Sequence, residues 1–404
     1  MQILLAIVGA ISLLYGPECT EDKSPVIPSF AFVSDAFIEH NVATHFMGAI
    51  HVDAADLDGD GDRDVLGAAY YGNEVAWWEN DGSQTFSKHT ITTAFRGARV
   101  VYAVDLDGDR DNDIVGAAVI SNRISWWENT GFNNFVEHTV SASFVGANYA
   151  YPKDLDADGD VDIVGATWDF NQGHADRITW WENDGANNFM EHIISNDHDR
   201  NSCVYPTDLD SDGDQDLLCA EYGDGTISWL ENDGNQNFTE HILASFATAH
   251  WIDSADFDRD GDLDIVGVSI NGRIVLLENN GIQSFFEHSI SNSYRGAASV
   301  CASDINQDGN IDILGASESN NDISWWENIG NKLFIKHDIS NTFTDAICVL
   351  AEDLDGDADM DVLGTAFSEN EVAWWENDLA NLKHFLKPGK GKRSADREGI
   401  RRRK

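Results

Sequence analysis

Bases are scarce in this chain: 25 Lys and Arg stand against 71 Asp and Glu, a formal charge of −46 over 404 residues. Phosphate recognition needs a basic face, so this balance argues against a nucleic-acid partner. The apolar run Ile3 to Leu14 is too short to span a bilayer but has the length of a secretory signal. Residues 1–22 are therefore expected to be a signal peptide and leader, although no Lys or Arg precedes the run and no Ala-x-Ala follows it. There is no Gly-x-Ser-x-Gly elbow, no zinc-ligand spacing, and no non-repeating pair of acids that stands out as catalytic. The five cysteines, Cys19, Cys203, Cys219, Cys301 and Cys348, are odd in number. Cys203 and Cys219 flank one acidic loop and are read either as a pair across it or as small buried core residues.

The abundant acids are not spread evenly, and 33 of them fall in seven short loops. The first loop, Asp56-Leu-Asp-Gly-Asp-Gly-Asp-Arg-Asp64, carries Asp56, Asp58, Asp60, Asp62 and Asp64 at its alternate positions. Calcium is a hard cation that takes six to eight oxygens, and such a loop supplies them from side chains and from the backbone carbonyl at position 7. Gly61, at position 6, provides the left-handed turn around the ion. The other copies carry Asp105, Asp107, Asp109, Asp111, Asp113; Asp154, Asp156, Asp158, Asp160, Asp162; and Asp208, Asp210, Asp212, Asp214, Asp216. They continue with Asp256, Asp258, Asp260, Asp262, Asp264; Asp304, Asn306, Asp308, Asn310, Asp312; and Asp353, Asp355, Asp357, Asp359, Asp361. Up to seven Ca²⁺ ions are expected. Arg110 and Ala358 replace the position-6 glycine and Asn306 and Asn310 reduce charge, so the second, sixth and seventh loops are expected to bind more weakly.

The loops recur at steps of 49, 49, 54, 48, 48 and 49 residues. Each is followed by a bulky apolar pair and Glu-Asn, as in Trp77-Trp78-Glu79-Asn80, and six are followed by Phe-x-x-His, as in Phe86 to His89. Each unit reads as four short strands, in the first about 48–55, 64–71, 74–80 and 86–91. Repeats of this length with four strands are propeller blades. The seventh unit lacks its Phe-x-x-His, and the missing strand stands at the other end as Phe37-Ile-Glu-His40. The reading is all-β: a seven-bladed propeller over residues 23–382, its last blade closed by the N-terminal strand, followed by a basic disordered tail over 383–404.

Asp-x-Asp-x-Asp-Gly-x-x-Asp followed by Ile/Val-(Val/Leu)-Gly-Ala resembles the FG-GAP/VCBS repeat of integrin α-subunit propellers and bacterial secreted proteins, over roughly residues 36 to 378. The resemblance implies calcium at the base of the blades and ligands on the opposite face or rim. Similar propellers include fungal lectins, polysaccharide lyases and sugar dehydratases.

The six aromatics Phe46, Phe95, Phe144, Phe246, Tyr294 and Phe343, with His198 as the exception, recur ten residues before each loop and read as packing. Non-repeating residues are the better binding candidates: His51, Arg99, Tyr149, His250 and Trp251 at the channel end of the innermost strands, and Phe170 and His174 in the one insertion. The expectation is a secreted or cell-surface monomer that binds a glycan or extracellular protein, with the calcium loops as scaffold. A polysaccharide lyase or dehydratase, and a structural spacer, are the alternatives.

Overall fold

The computed structural model describes residues 36–169 and 176–379. The apolar run 3–14, Cys19, the insertion residues Phe170 and His174, and the basic tail lie outside the described residues. The described strands form seven antiparallel four-stranded sheets. In six of them the strands are consecutive in sequence. In the seventh, the strand Phe37–Ala43 pairs with Glu371–Asn377, completing the blade built from Ala346–Glu352 and Asp361–Ala366. That is the expected clasp. Around it, the Asp378 amide donates to the Ala36 carbonyl at 2.7 Å, and His40 Nε2 lies 3.0 Å from Glu376 Oε2.

The strand character follows from burial. Every second strand, such as Asp64–Ala69, is buried at all six positions, because both faces of a blade pack against neighbours. The third strand Glu74–Asn80 buries both Trp77 and Trp78 although successive side chains point to opposite faces. The outermost strand, Phe86–Thr92, has no fully buried position and exposes Ser87, Lys88 and Thr90.

One recurring core unit joins three markers. Phe46 meets Trp78 edge-on at 4.9 Å, and a Cβ on Gly67 would lie 2.9 Å from the Phe46 ring and 3.0 Å from Trp78. The glycine of Gly-Ala is therefore required by ring packing. The six recurring aromatics are all buried, as packing requires. The fourth blade departs in concert: His198, Cys219 and Leu230 take the places of ring, glycine and tryptophan. Cys203, Cys219, Cys301 and Cys348 are free thiols, so the pairing of Cys203 with Cys219 is not formed. Their strands run side by side, but Cys203 sits opposite Ala220 while Cys219 sits opposite Val204.

Candidate metal loops and the central channel

The Glu-Asn marker explains how each acidic loop is held. Asn80 Nδ2 donates to the Arg63 carbonyl in its own loop and to the Leu354 carbonyl in the loop of the preceding blade, both at 3.1 Å. Asn129, Asn328 and Asn377 repeat this tie. The glutamate turns outward instead. Glu79 Oε2 lies 2.8 Å from His89 Nε2, and the His89 ring stacks on Trp77 at 4.5 Å. The histidines of Phe-x-x-His are thus structural, as the sequence suggests.

Within the first loop the position-9 carboxylate is buried and ties the hairpin together. Asp64 accepts the Leu57 amide on Oδ2 and the Asn80 amide on Oδ1, each at 2.8 Å. Asp113, Asp162, Asp216, Asp264 and Asp361 accept the equivalent pair of amides. Burial pushes the Asp64 carboxyl up to about 7, and Asp312 and Asp361 to about 8.

The structure brings oxygens of positions 1, 3 and 9 together. Asp56, Asp58 and Asp64 converge within 4.8 Å, as do the matching trios Asp105, Asp107, Asp113; Asp154, Asp156, Asp162; and Asp208, Asp210, Asp216. Three hard oxygen donors converging beside further carboxylates suit calcium. The position-5 carboxylate is engaged locally: Asp60 Oδ1 accepts the Asp62 amide at 3.0 Å. Left-handed backbone occurs at position 6, with φ of +100° at Gly61, +83° at Arg110 and +76° at Ala358. It also occurs at position 4, where Ala157, Ser211, Arg259 and Gln307 adopt φ between +53° and +64°. That second strained position was not legible from the glycine pattern.

The glutamate of each Glu-Asn marker and one lysine also act on these loops. Glu79 lies close enough to raise the pKa of Asp58, behind the larger effect of burial, and Glu128, Glu182, Glu231, Glu278 and Glu376 act likewise on their own loops. Lys332 of the sixth blade reaches the fifth loop, with Nζ 3.6 Å from Asp258 Oδ2 and paired with Glu278 Oε1. The fifth loop thus already faces a cation of the protein's own.

The innermost strands line a central channel. His51, Tyr149 and Trp251 border one cavity of about 190 Å³, together with Asp53, Tyr102, Tyr151, Tyr205 and Asp253. Arg99 and His250 border a narrower space of about 20 Å³ that shares His51, Tyr149 and Trp251. The five channel residues singled out in the sequence are therefore neighbours. They lie along the channel, on the innermost strands, where His51 and Tyr149 are buried. The Arg99 Nε donates to Asn148 Oδ1 at 3.0 Å, and His51 comes within 6.0 Å of Trp251 across the bore. Burial and then the Arg99 charge lower the pKa of His51 to about 3 and of His250 to about 4, so both rings are neutral. Tyr102, Tyr151, Tyr205 and the two aspartates were not anticipated. The signal was present: they stand three residues before successive loops, as Asp53, Tyr102, Tyr151, Tyr205 and Asp253.

Among the described residues, no helix is long and apolar enough to cross a membrane. No curated protein sequence matches the chain. Among solved structures, two crystal structures of BBS1N in complex with ARL6DN, soaked with lead and with mercury, share the fold at TM-scores of 0.56 and 0.58. Each is 12% identical and covers 85% of this chain and 97% of that one. The model of the FG-GAP-like repeat matches residues 56–116, 154–219, 208–267, 256–315 and 304–364. With the acidic loop and the strands that flank it repeated in every blade, the chain belongs to the FG-GAP-like repeat family.

Proposed function

We propose that this protein is a calcium-stabilised propeller that serves as a binding module for a protein partner. The observation that carries the metal part is the convergence of the position 1, 3 and 9 carboxylates, as in Asp56, Asp58 and Asp64. Calcium supplies positive charge there and neutralises a cluster that otherwise repels itself. The residues that hold it are the loop aspartates, with position 9 also fixing the hairpin. A cation also reverses the electrostatic cost of burying Asp64, while the amides of Leu57 and Asn80 orient that carboxylate.

The partner reading rests on the division of labour within each blade. The loops recur because the scaffold needs them, whereas the connections at the opposite face vary, including the insertion between Asp169 and Asp176. The crystallised propeller of similar fold is bound to a protein, which favours a protein over a glycan here. Millimolar calcium outside cells suits loops of modest affinity, in keeping with a secreted or cell-surface setting.

The test is parallel screening of glycan and protein arrays with the calcium-loaded and chelated protein. Capture of a protein ligand that is lost on chelation is the expected result. Glycan capture alone would transfer the role to a lectin, and release of a depolymerised product would replace the binding reading with an enzymatic one.

A further inference from the structure

The wider chamber of the channel has a composition that neither the calcium loops nor a partner surface requires. Its wall is aromatic on successive blades: Tyr102 and Tyr151 have ring centroids 4.8 Å apart, and Tyr151 and Tyr205 are 5.6 Å apart. Trp251 meets Tyr149, on the same strand as Tyr151, with ring centroids 5.7 Å apart. Into the same chamber face two carboxylates, Asp53 and Asp253, set three blades apart round the ring. Each is anchored from behind: the Ala103 amide donates to Asp53 Oδ2 and the Ala302 amide to Asp253 Oδ2, both at 2.8 Å. Tyr151 lines the same chamber as the two acids, and burial first, then their charges, push its hydroxyl pKa up.

Among the described residues, no lysine or arginine borders the chamber, and Arg99 lies in the narrower space beside His51. The buried Nδ1 of His51 has no hydrogen-bond partner among the described residues. The chamber lies toward the ends of the innermost strands from which the acidic loops leave, since Ala55, Val104, Ala255 and Glu352 pair with the position-9 aspartates of their loops. Its approach is therefore through the most negative part of the molecule, which concentrates cations.

We propose that this chamber binds an alkylated ammonium ion, held by the faces of Tyr102, Tyr151, Tyr205 and Trp251 and balanced by Asp53 and Asp253. A quaternary ammonium cannot donate hydrogen bonds, so it takes its stabilisation from ring faces and unshielded charge. The aromatic wall accommodates its methyl groups, and the paired acids answer its charge without requiring a directed contact. An inorganic cation would instead need a shell of six to eight oxygens, whereas the two carboxylates here each already accept a backbone amide and stand among rings. The proposal stands apart from the partner reading, because it concerns the channel rather than the blade connections.

The experiment is titration of the calcium-loaded protein with choline and, separately, with 3,3-dimethyl-1-butanol, its uncharged isostere, by calorimetry at constant ionic strength. Choline is expected to bind at least about tenfold more tightly than the isostere, the scale of a desolvated cation–π contact. Asp253→Asn should lower choline affinity severalfold and leave the isostere unchanged, with folding checked by near-UV dichroism. Equal binding of the two probes, no binding of either at tens of millimolar, or equal displacement of choline by potassium chloride would overturn the proposal. The two-probe comparison uses the unaltered protein, so it holds even if the variant misfolds. Loss of an array partner would leave this result untouched.

Discussion

His198 Nδ1 lies 3.0 Å from Glu221 Oε1, with both side chains buried at the place where six other blades seat an aromatic ring. Glu221 also accepts hydroxyl donations from Ser228 and from Thr226, at 2.5 and 2.7 Å. Burial works against both charges, but the His198 bond and these hydroxyls hold the Glu221 pKa below its ordinary value, and Glu221 holds that of His198 above its own. Blade four is thus organised around an ion pair that its neighbours replace by ring packing.

Breaking that pair strands a buried charge. His198→Ala should therefore cost roughly 3–5 kcal/mol, more than a surface ion pair would. Because the folded His198 pKa is raised, its contribution is complete below the ordinary histidine value and is lost as pH rises through the folded one. Urea unfolding of wild type and variant across pH 5 to 9 checks this; a gap that stays constant with pH would refute the ion pair.

Two aspartates of one loop should behave differently when the metal is withdrawn. Asp58→Asn weakens only the ion site, so its effect on melting should vanish in chelator. Asp64→Ala also strands the amides of Leu57 and Asn80, at roughly 1–3 kcal/mol each, and its loss should persist in chelator. Calorimetric melting of both variants with and without calcium separates the roles. If the wild-type protein melts at the same temperature in both conditions, the loops do not hold calcium in the folded state.

The channel acids set a pH dependence of opposite kind to an exposed carboxylate. Burial is the largest cause that raises Asp53 and Asp253 to about 6, while the amides of Ala103 and Ala302 pull them down; Glu352 and Arg63 act on Asp53, and Tyr205 on Asp253. The folded state therefore keeps protons that the unfolded chain releases. Stability from this source is complete below about pH 4 and is lost as pH rises through 6, at most on the order of 3 kcal/mol for each acid. The unfolding free energy of the Asp53→Asn, Asp253→Asn double variant should lose that slope relative to wild type. Parallel pH curves would show that the two acids are better solvated than their burial implies.

Removing the clasp should expose an edge. Without residues 36–43, the strand Glu371–Asn377 keeps its ladder to Asp361–Ala366 but presents unpaired backbone groups on its other side. The shortened chain should melt earlier and self-associate, which light scattering during a thermal ramp would register. A monomer of unchanged stability would mean that the clasp contributes little.

The period of the acidic loops, the paired tryptophans and the displaced Phe37 strand made the ring legible in the sequence, because each recurs in phase with the blade. The double tie made by Asn80 was not legible, since one of its two acceptors, Leu354, is 274 residues away. The channel chamber was hidden for a related reason. Tyr102, Tyr151 and Tyr205 belong to three successive units, about 50 residues apart in sequence, and become neighbours only when those blades pack side by side. The five channel residues chosen from the sequence do meet, and Tyr149 and His51 are buried walls of the bore.

The strand Phe37–Ala43 is among the first parts of the described chain to be synthesised and pairs with one of the last. At about 5–20 residues per second, Glu371 to Asn377 follow it only after tens of seconds of elongation. For that interval the strand's final partner does not exist, while six consecutive blades each have all their own strands. Ring closure is consequently a terminal event in biosynthesis, and a chain released after residue 340 but before residue 371 holds six complete sheets but no closed propeller.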